Sequence, residues 1–247
     1  MRRIAWITGA STGIGRALAL RLVRDGWTIA ASARASDALT GLAAGSEAIR
    51  AYPLDVTDAA ATARVAAEIE RELGPIDLAV ANAGTDARTP ATGFDPAVVR
   101  RVIEVNLLGS ANTLAAVMPE TIRRRSGHIA VVASVAGYRG LPRAAAYSAS
   151  KAGLIALAEG LKFDLDRAGV KIQVVNPGFV RTPLTDRNDF AMPFLMDADE
   201  AAERIVKGLA GSAFEIAFPR RFAWILKLLG CLPDRLYFRL VAKATGT

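Results

Sequence analysis

A glycine-rich turn near the amino terminus places the tightest constraint on how this chain folds. An apolar run at residues 4–8 leads into it, and an apolar stretch with helical spacing begins at Ile14. A glycine at the first position permits the tight turn, the second lets the backbone approach a phosphate group, and the third lets helix and strand pack closely. N–H groups and the dipole at a helix start favour negative charge. The pattern therefore predicts a pyrophosphate site made of Gly9, Ser11, Thr12, Gly13, Ile14 and Gly15.

Strand and helix signals alternate along the rest of the 247 residues. The alternation is typical of βαβ units, and we predict an α/β fold: a single Rossmann-type, doubly wound parallel sheet of about seven strands, flanked by helices. A long helix is expected to begin at Asp95-Pro96, to pass through Asn106 and to end near Pro119 or soon after. The predicted strands are residues 4–8, 28–33, 48–54, 76–81, 129–133, 170–176 and 214–218.

Three polar residues downstream of the turn indicate acid–base chemistry. Tyr147 and Lys151 lie four apart at the start of a stretch with helical spacing, so they share one face of the predicted helix. An ammonium beside a phenol favours the phenolate, and we therefore expect Lys151 to lower the pKa of Tyr147. Ser134 follows the predicted strand 129–133, where its hydroxyl can donate to a carbonyl oxygen. With the glycine turn, these residues describe a hydride-transfer enzyme whose tyrosine moves the proton.

In the order and spacing of these motifs, the chain resembles the short-chain dehydrogenase/reductase superfamily from about Arg3 to Phe218. The turn has the superfamily's Gly-x-x-x-Gly-x-Gly spacing. Residues 82–84 match the end of its Asn-Asn-Ala-Gly signature, with Ala81 in place of the first Asn. Asn106, in Val-Asn-Leu, occupies the position of its fourth catalytic residue. Further matches are Asp55 and Val56, which the resemblance places at the adenine end of a dinucleotide, and Pro177, Gly178, Val180 and Thr182 at its nicotinamide end.

The resemblance implies a catalytic set of Asn106, Ser134, Tyr147 and Lys151. In that reading Ser134 holds the substrate oxygen, and Tyr147 donates its proton as hydride reaches the carbon. Lys151 binds the nicotinamide ribose, and Asn106 supports a water that relays protons to Lys151. The residues alone also allow Asn106 to be a buried, satisfied side chain, or one that disrupts backbone pairing in its helix. Beyond the glycine turn, the implied cofactor-binding residues are Asp55, Val56, Asn82, Ala83, Gly84, Tyr147, Lys151, Pro177, Gly178, Val180 and Thr182.

The end of the second predicted strand bears on which cofactor is used. An acidic residue there binds the ribose hydroxyls of NAD, whereas a nearby arginine accommodates the 2′-phosphate of NADP. The chain has Ala33 at the acidic position and Arg34 directly after it, so the sequence favours NADP over NAD. A solvated surface role for Arg34 is the alternative. Thr12 stands where many NADP-dependent members of the superfamily have Arg or Lys.

The substrate region is predicted to be apolar. Residues 183–197 follow the nicotinamide segment and contain Phe190, Met192, Phe194, Leu195 and Met196, which suits a soft lid. Such a pocket favours a lipid-like, aromatic or steroid-like carbonyl compound or alcohol, although simple core or subunit contact is an equal alternative. The candidate substrate residues are Ser134, Tyr138, Tyr147, Phe190 and Phe194, with Leu141 and Pro142 on the opposite wall.

Composition narrows the remaining function classes. Cys231 is the only cysteine, which excludes an internal disulfide and suits a cytoplasmic protein. His128 is the only histidine, so we expect no metal site and a structural role for this residue at a strand entrance. The hydrophobic fraction is 52%, but no run approaches the roughly 18–20 apolar residues of a membrane span. The net charge is +7, yet no nucleic-acid-binding motif accompanies it, and we expect no nucleic-acid partner.

The carboxyl-terminal segment departs from a minimal member of the superfamily. We expect a catalytic dinucleotide-binding domain over residues 1–219, and a helical extension over residues 220–247 that packs on the same domain or on a partner. Pro233 divides the extension into two helices, in which apolar and basic residues interleave. We expect the extension to cap the substrate entrance and to touch the inner face of a membrane without crossing it. A purely structural contact within an oligomer is the alternative.

Two functions remain open at this point. The first is an NADP-dependent carbonyl reductase or alcohol dehydrogenase, in which Tyr147 is the general acid and base. The second is a nucleotide-binding sensor or scaffold on the same fold; such a protein is expected to lack part of the catalytic set, whereas here the set is complete. The resemblance further implies a homodimer or homotetramer, assembled through the helices that begin near Asp95 and Tyr147.

Overall fold

A computed structural model describes residues 3–187 and 192–246 of the chain. Its seven parallel strands form one sheet in the order β3-β2-β1-β4-β5-β6-β7, with helices on both faces. This is the predicted Rossmann-type α/β fold. The strands are β1 Ile4–Thr8, β2 Thr28–Ala33, β3 Ile49–Pro53, β4 Leu78–Ala81, β5 His128–Val132, β6 Lys171–Pro177 and β7 Glu215–Phe218. The helices are α1 Gly13–Arg24, α2 Asp37–Ala44, α3 Ala59–Leu73, α4 Pro96–Ile103, α5 Gly109–Arg124, α6 Ala145–Arg167, α7 Ala198–Ala210, α8 Arg220–Gly230 and α9 Asp234–Thr245.

The central strands are buried on both faces, which is why they are almost continuously apolar in the sequence. One hydrophobic layer packs α1 and α7 against the sheet, with Leu18 and Ile205 fully buried. The other layer packs α3, α5 and α6 against the opposite face, with Ile69, Leu114 and Leu154 buried. Because all seven strands are parallel, their carboxyl ends meet at one edge of the sheet, and ligands bind at this edge in such folds.

The long helix that begins after Asp95 continues past Pro119, as the sequence prediction allowed. Asp95 caps it, as expected, by accepting a hydrogen bond from the backbone N–H of Ala97 at 2.8 Å. The helix does not stop near Pro119 but runs on to Arg124, and Arg125 follows it with a left-handed φ of 51°. Burial of Val117 and Thr121 on both sides of the proline holds these last turns in place. Tertiary packing therefore outweighs the one backbone hydrogen bond that Pro119 cannot make.

Between α4 and α5 the helix widens into a π-helical segment, Glu104–Leu108, which contains Asn106. By length and composition alone, Pro96–Arg124 is the one helix of the described residues that is long and apolar enough to cross a membrane. Its Val102, Leu114 and Val117 are buried. The helix is therefore a layer of this fold.

The two predicted tail helices, α8 and α9, are present on either side of Pro233. Polar and aromatic contacts tie them to the rest of the chain. The phenol of Tyr237 donates to the backbone oxygen of Gly140 at 2.7 Å. The guanidinium of Arg139 lies 3.9 Å from the centre of the Tyr237 ring and pairs with Asp234. The tail therefore packs on its own domain.

Candidate active site

A cleft of about 720 Å³ opens at the carboxyl edge of the sheet. It is bounded by the turns that follow β1, β2, β3, β4, β5 and β6, so residues that are distant in sequence meet there. All the predicted catalytic and cofactor-binding residues except Gly15 and Asn106 line this one cleft. These eighteen residues are Gly9, Ser11, Thr12, Gly13, Ile14, Arg34, Asp55, Val56, Asn82, Ala83, Gly84, Ser134, Tyr147, Lys151, Pro177, Gly178, Val180 and Thr182.

The glycine turn is shaped for a ligand that must come close to the backbone. Gly9 has a φ of +67°, and a Cβ on it would lie 2.8 Å from the Cα of Ala83. Gly15 is buried under the turn, where a Cβ would lie 2.3 Å from the backbone oxygen of Gly9. The amide of Asn82 secures the turn by donating to the backbone oxygens of Thr8 and Gly9, at 3.0 and 3.2 Å. A larger residue at either glycine would displace this arrangement.

The start of α1 leaves its backbone N–H groups available to an anion. Thr12 precedes the helix in an extended conformation, and its side chain accepts no hydrogen bond from the first turn. The first-turn N–H groups and the positive end of the helix dipole therefore face the cleft without a side-chain cap. Together with the absence of side chains at Gly9 and Gly13, this fits a pyrophosphate, the central group of a nicotinamide dinucleotide.

Charged and hydroxyl groups gather at the end of the cleft formed by β2 and β3. Arg34 is exposed and lines the cleft, as do Ser36 and Asp55. Asp55 accepts hydrogen bonds from the backbone N–H and hydroxyl of Thr57, and these bonds, aided by the positive charge of Arg34, lower its pKa. Ser36 was not singled out from the sequence, although its place two residues after Arg34, at the start of α2, was a signal for it.

Ser134, Tyr147 and Lys151 lie at the other end of the cleft. Ser134 follows β5, and its hydroxyl accepts from the N–H of Ala136 at 3.1 Å and donates to the backbone oxygen of Pro177 at 3.3 Å. Tyr147 and Lys151 lie one turn apart in α6, with the ammonium nitrogen 5.6 Å from the centre of the phenol ring. The Lys151 ammonium donates to the backbone oxygen of Val132 at 2.9 Å. Serine, phenol and ammonium therefore form one cluster.

The protonation of this cluster differs from the sequence expectation in one respect. Burial raises the pKa of Tyr147 to about 12, and a hydrogen bond from Ser134 opposes this rise only in part. The negative charge of Asp86 raises it further. Burial lowers the pKa of Lys151 to about 8, against the opposing effect of Asp86. The predicted lowering of the Tyr147 pKa by Lys151 is therefore wrong for the protein's own groups, because desolvation of the phenolate is the larger effect.

Asn106 lies behind the cluster and does not line the cleft. Its side-chain amide donates to the backbone oxygen of Thr85 and to the hydroxyl of Ser150, both at 2.9 Å. Its amide oxygen accepts from the backbone N–H of Thr85 at 2.7 Å. The predicted disruption of backbone pairing is present as the π-helical segment around this residue. Asn106 thus joins the loop after β4 to α6, next to Lys151.

Asp86 is a site residue that the sequence analysis missed. It lies in the loop after β4, and one of its carboxylate oxygens is buried without a hydrogen-bond partner among the described residues. Burial raises its pKa, whereas the N–H of Ala87 and the charges of Lys151 and Arg88 lower it. Its position two residues after Gly84, in a loop that follows a central strand, was the available signal. The sequence could not show that this loop turns towards α6.

The predicted substrate wall is only partly present. Tyr138 does not line the cleft, because the turn after β5 directs it towards β7. Its phenol donates to the carboxylate of Glu215 at 2.5 Å, and burial and this bond raise its pKa. The substrate role of Tyr138 stays a prediction. Phe194 is exposed and packs on Phe222 of α8 at 5.8 Å between ring centres, outside the cleft lining. Phe190 lies outside the described residues. The residues that do line the cleft at this end include Pro183, Leu184 and Thr185.

The fold and the cleft together are those of a dinucleotide-binding protein, with a tyrosine–lysine pair at one end of the cleft. Residues 3–191 match the sequence profile of the short-chain dehydrogenase family. A protein of Myxococcus xanthus named as an uncharacterized oxidoreductase is 41% identical over 239 residues, which cover 95% of this chain and 94% of that one. The chain therefore belongs to the short-chain dehydrogenase family.

Two further comparisons concern the cofactor. The 2-dehydro-3-deoxy-L-rhamnonate dehydrogenase (NAD(+)) of a Sphingomonas species is 36% identical over 186 residues, 75% of each chain. The crystal structure of a short-chain dehydrogenase of Burkholderia cenocepacia in complex with NADP superposes with a TM-score of 0.85 at 28% identity, over 97% of each chain. The protein is thus an NAD(P)-dependent oxidoreductase that acts on CH–OH groups.

Proposed function

We propose that this protein transfers a hydride between NADP(H) and the carbonyl or secondary alcohol carbon of an apolar small molecule, with Tyr147 as general acid and base. The observation that carries the proposal is the cluster of Ser134, Tyr147 and Lys151 at the end of the cleft opposite Arg34. No member of this cluster is replaced, which argues against the alternative of a nucleotide sensor or scaffold without turnover.

Ser134, Tyr147 and Lys151 have different roles in the proton transfer that accompanies hydride transfer. The nicotinamide cofactor, when bound, supplies the hydride for reduction and accepts it in oxidation. The Ser134 hydroxyl orients the substrate oxygen by hydrogen bonding, and the Tyr147 phenol gives that oxygen its proton as the carbon is reduced. A pKa of about 12 keeps Tyr147 protonated at neutral pH, which suits donation. A pKa of about 8 keeps Lys151 mostly cationic at neutral pH, so its charge stabilises the phenolate that remains.

Asn106 has a supporting part in this mechanism. It ties the Thr85 backbone to Ser150, and so holds the loop after β4 against the helix that carries Tyr147 and Lys151. We propose that each proton that Tyr147 donates is replaced by one that passes through Lys151 from a water held near Asn106. Because Asn106 acts through its neighbours, we place it as a positioning residue.

The function is tested by replacing Tyr147 with phenylalanine. Loss of the proton donor is expected to lower kcat by at least about 100-fold, the scale of general acid catalysis. Binding of NADPH should be nearly unchanged, because Tyr147→Phe removes one hydroxyl from a long cleft. The measurement is cofactor absorbance with a panel of lipid-like, aromatic and steroid-like ketones and alcohols, beside a fluorescence titration of NADPH. Wild-type turnover in the variant would contradict the mechanism, and an inactive wild-type protein that binds NADPH would favour the sensor.

The preference for NADP rests on Arg34. It is exposed at the end of the cleft where β2 and β3 finish, and the described residues give it no carboxylate within ion-pair distance. Ser36 adds a hydroxyl beside it. A free guanidinium and a hydroxyl suit a 2′-phosphate. Asp55 lines the same end, but its carboxylate is engaged by Thr57.

An Arg34→Ala variant is expected to lose about 10- to 100-fold in affinity for NADPH, the scale of one hydrogen bond to a charged group. Its affinity for NADH should change little. Arg50→Ala, at an exposed arginine outside the cleft, is the matched control. Dissociation constants for both cofactors, measured by fluorescence, give the comparison. Equal losses for NADPH and NADH would remove Arg34 from this role.

The substrate class is proposed from the cleft wall. Pro183 and Leu184 are among its apolar members, and Phe222 lies against Gly178 of the cleft lining, 5.8 Å from Phe179 between ring centres. This composition favours an apolar carbonyl compound over a sugar.

We also propose a cytoplasmic location, in line with the free, exposed Cys231. Activity confined to sugar acids, or fractionation of the native protein outside the cytoplasm and inner membrane, would overturn these two assignments.

A further inference from the structure

The last two helices concentrate the exposed apolar surface of the molecule. Among the described residues, eleven large apolar side chains are exposed, and six of them lie in α8 and α9. They are Trp224, Ile225, Leu228, Leu236, Phe238 and Leu240. Monomeric soluble proteins rarely expose a contiguous apolar patch of this kind unless it binds something.

In α8 the exposed residues follow helical spacing. Arg221, Trp224, Ile225 and Leu228 are exposed and stand at positions i, i+3, i+4 and i+7, so they share one face. The opposite face is attached to the body: Ala223 is buried and Phe222 packs against Phe179 and Phe194. The helix therefore has two apolar faces: one packs against the body of the protein, and the other is exposed.

In α9 apolar and basic residues alternate on the exposed side. Leu236, Phe238 and Leu240 are accompanied by the exposed Arg235, Arg239 and Lys243. Only Tyr237 of this helix is buried. We define the docking face as the six exposed apolar residues together with Arg221, Arg235, Arg239 and Lys243.

The charges of the docking face indicate what covers it. In the structure described, Lys227 is neutralised by Glu215, and Asp234 by Arg139. No ion pair of the described residues includes Arg221, Arg235, Arg239 or Lys243. A second copy of the chain, docked face to face, would oppose these cations to their equivalents, because a two-fold interface is self-complementary. The occupant should therefore be apolar and anionic.

We propose that the docking face binds the surface of an anionic phospholipid bilayer. Exposed Trp, Phe and Leu side chains enter the boundary between head groups and acyl chains, and the long basic side chains reach the phosphates. With 11 and 12 residues, α8 and α9 are about 16–18 Å long, too short to cross a hydrocarbon core of about 30 Å. They lie on the bilayer.

The experiment compares full-length variants in co-sedimentation with vesicles of equal parts phosphatidylcholine and phosphatidylserine. The test variant is Arg235→Gln/Arg239→Gln/Lys243→Gln. The matched control is Arg24→Gln/Arg50→Gln/Arg64→Gln, which removes three exposed arginines elsewhere and makes the same change in net charge. The wild-type chain and the control should bind, whereas the test variant should bind about 100-fold more weakly, since each cation near an anionic surface contributes about a factor of five.

Trp224 supplies a second readout at the same face. Its indole is 63% exposed, so its fluorescence should shift to shorter wavelength on these vesicles, and the shift should vanish in Trp224→Phe. Circular dichroism establishes that the variants fold. An unbound wild-type chain, or test and control variants that bind alike, would overturn the proposal. So would a test variant whose mass by light scattering falls below that of the wild type, since the face would then join copies of the chain. None of these outcomes depends on turnover.

Discussion

Asp86 is the residue through which the site's electrostatics can be adjusted. Its carboxylate raises the pKa of both Tyr147 and Lys151, because a nearby negative charge opposes formation of a phenolate and favours an ammonium. One oxygen of this carboxylate is buried without a hydrogen-bond partner among the described residues, and the N–H of Ala87 hydrogen-bonds to the carboxylate. It therefore helps to keep the phenol protonated and the lysine charged at neutral pH.

The consequence is a defined pH shift in Asp86→Asn. Removing the charge lowers the pKa of Tyr147, so the phenolate that accepts a proton in alcohol oxidation becomes available at lower pH. The rising limb of kcat/KM for oxidation, and the falling limb for reduction, should both move to lower pH. Asp86→Glu keeps the charge and should keep the wild-type profile. The measurement is kcat/KM against pH in both directions; limbs that stay in place in the asparagine variant would show that Asp86 does not act on Tyr147.

At the scale of elements, the sequence predicted most of the sheet because parallel strands that are buried on both faces consist of consecutive apolar residues. The boundaries of β1 and β2 match the prediction, and Gly26 and Gly74 end α1 and α3 as turn residues should. The helix through Asn106 was predicted to begin at the correct residue. Its end was predicted only approximately, since the packing that carries it past Pro119 comes from distant elements.

In the site, too, residues in local sequence motifs could be predicted, whereas residues whose position depends on distant parts of the fold could not. The turn after β1 and the Tyr147–Lys151 pair could be predicted because each is one local motif whose spacing fixes its geometry. Asp86, Ser36 and Tyr138 could not be placed, since their orientation depends on how loops cross the edge of the sheet. Desolvation of Tyr147 was also hidden, because burial of a side chain is a property of the assembled cleft.

At the scale of the whole molecule, α5 and α6 both expose apolar side chains. Both pack on the same side of the sheet. The exposed residues of α6 include Ala152, Ala156, Gly160 and Phe163, which fall on one helical face, and Phe163 is 71% exposed. The exposed residues of α5 and the π-helical segment before it include Leu108, Ala115, Pro119 and Ile122. Small apolar residues on such a face let a second pair of helices approach closely.

We therefore expect the protein to assemble as a homodimer or homotetramer through this surface. Ala156→Arg places a long cation at the centre of the α6 face, and burying it without a partner should cost several kcal/mol. The variant should dissociate to chains of 26.0 kDa by light scattering at micromolar concentration, with its helical circular dichroism intact. Ala63→Arg, at an exposed position of α3, is the matched control and should leave the mass unchanged. A wild-type protein that is already monomeric would contradict the predicted assembly, and an Ala156→Arg variant with the wild-type mass would place the subunit contacts elsewhere.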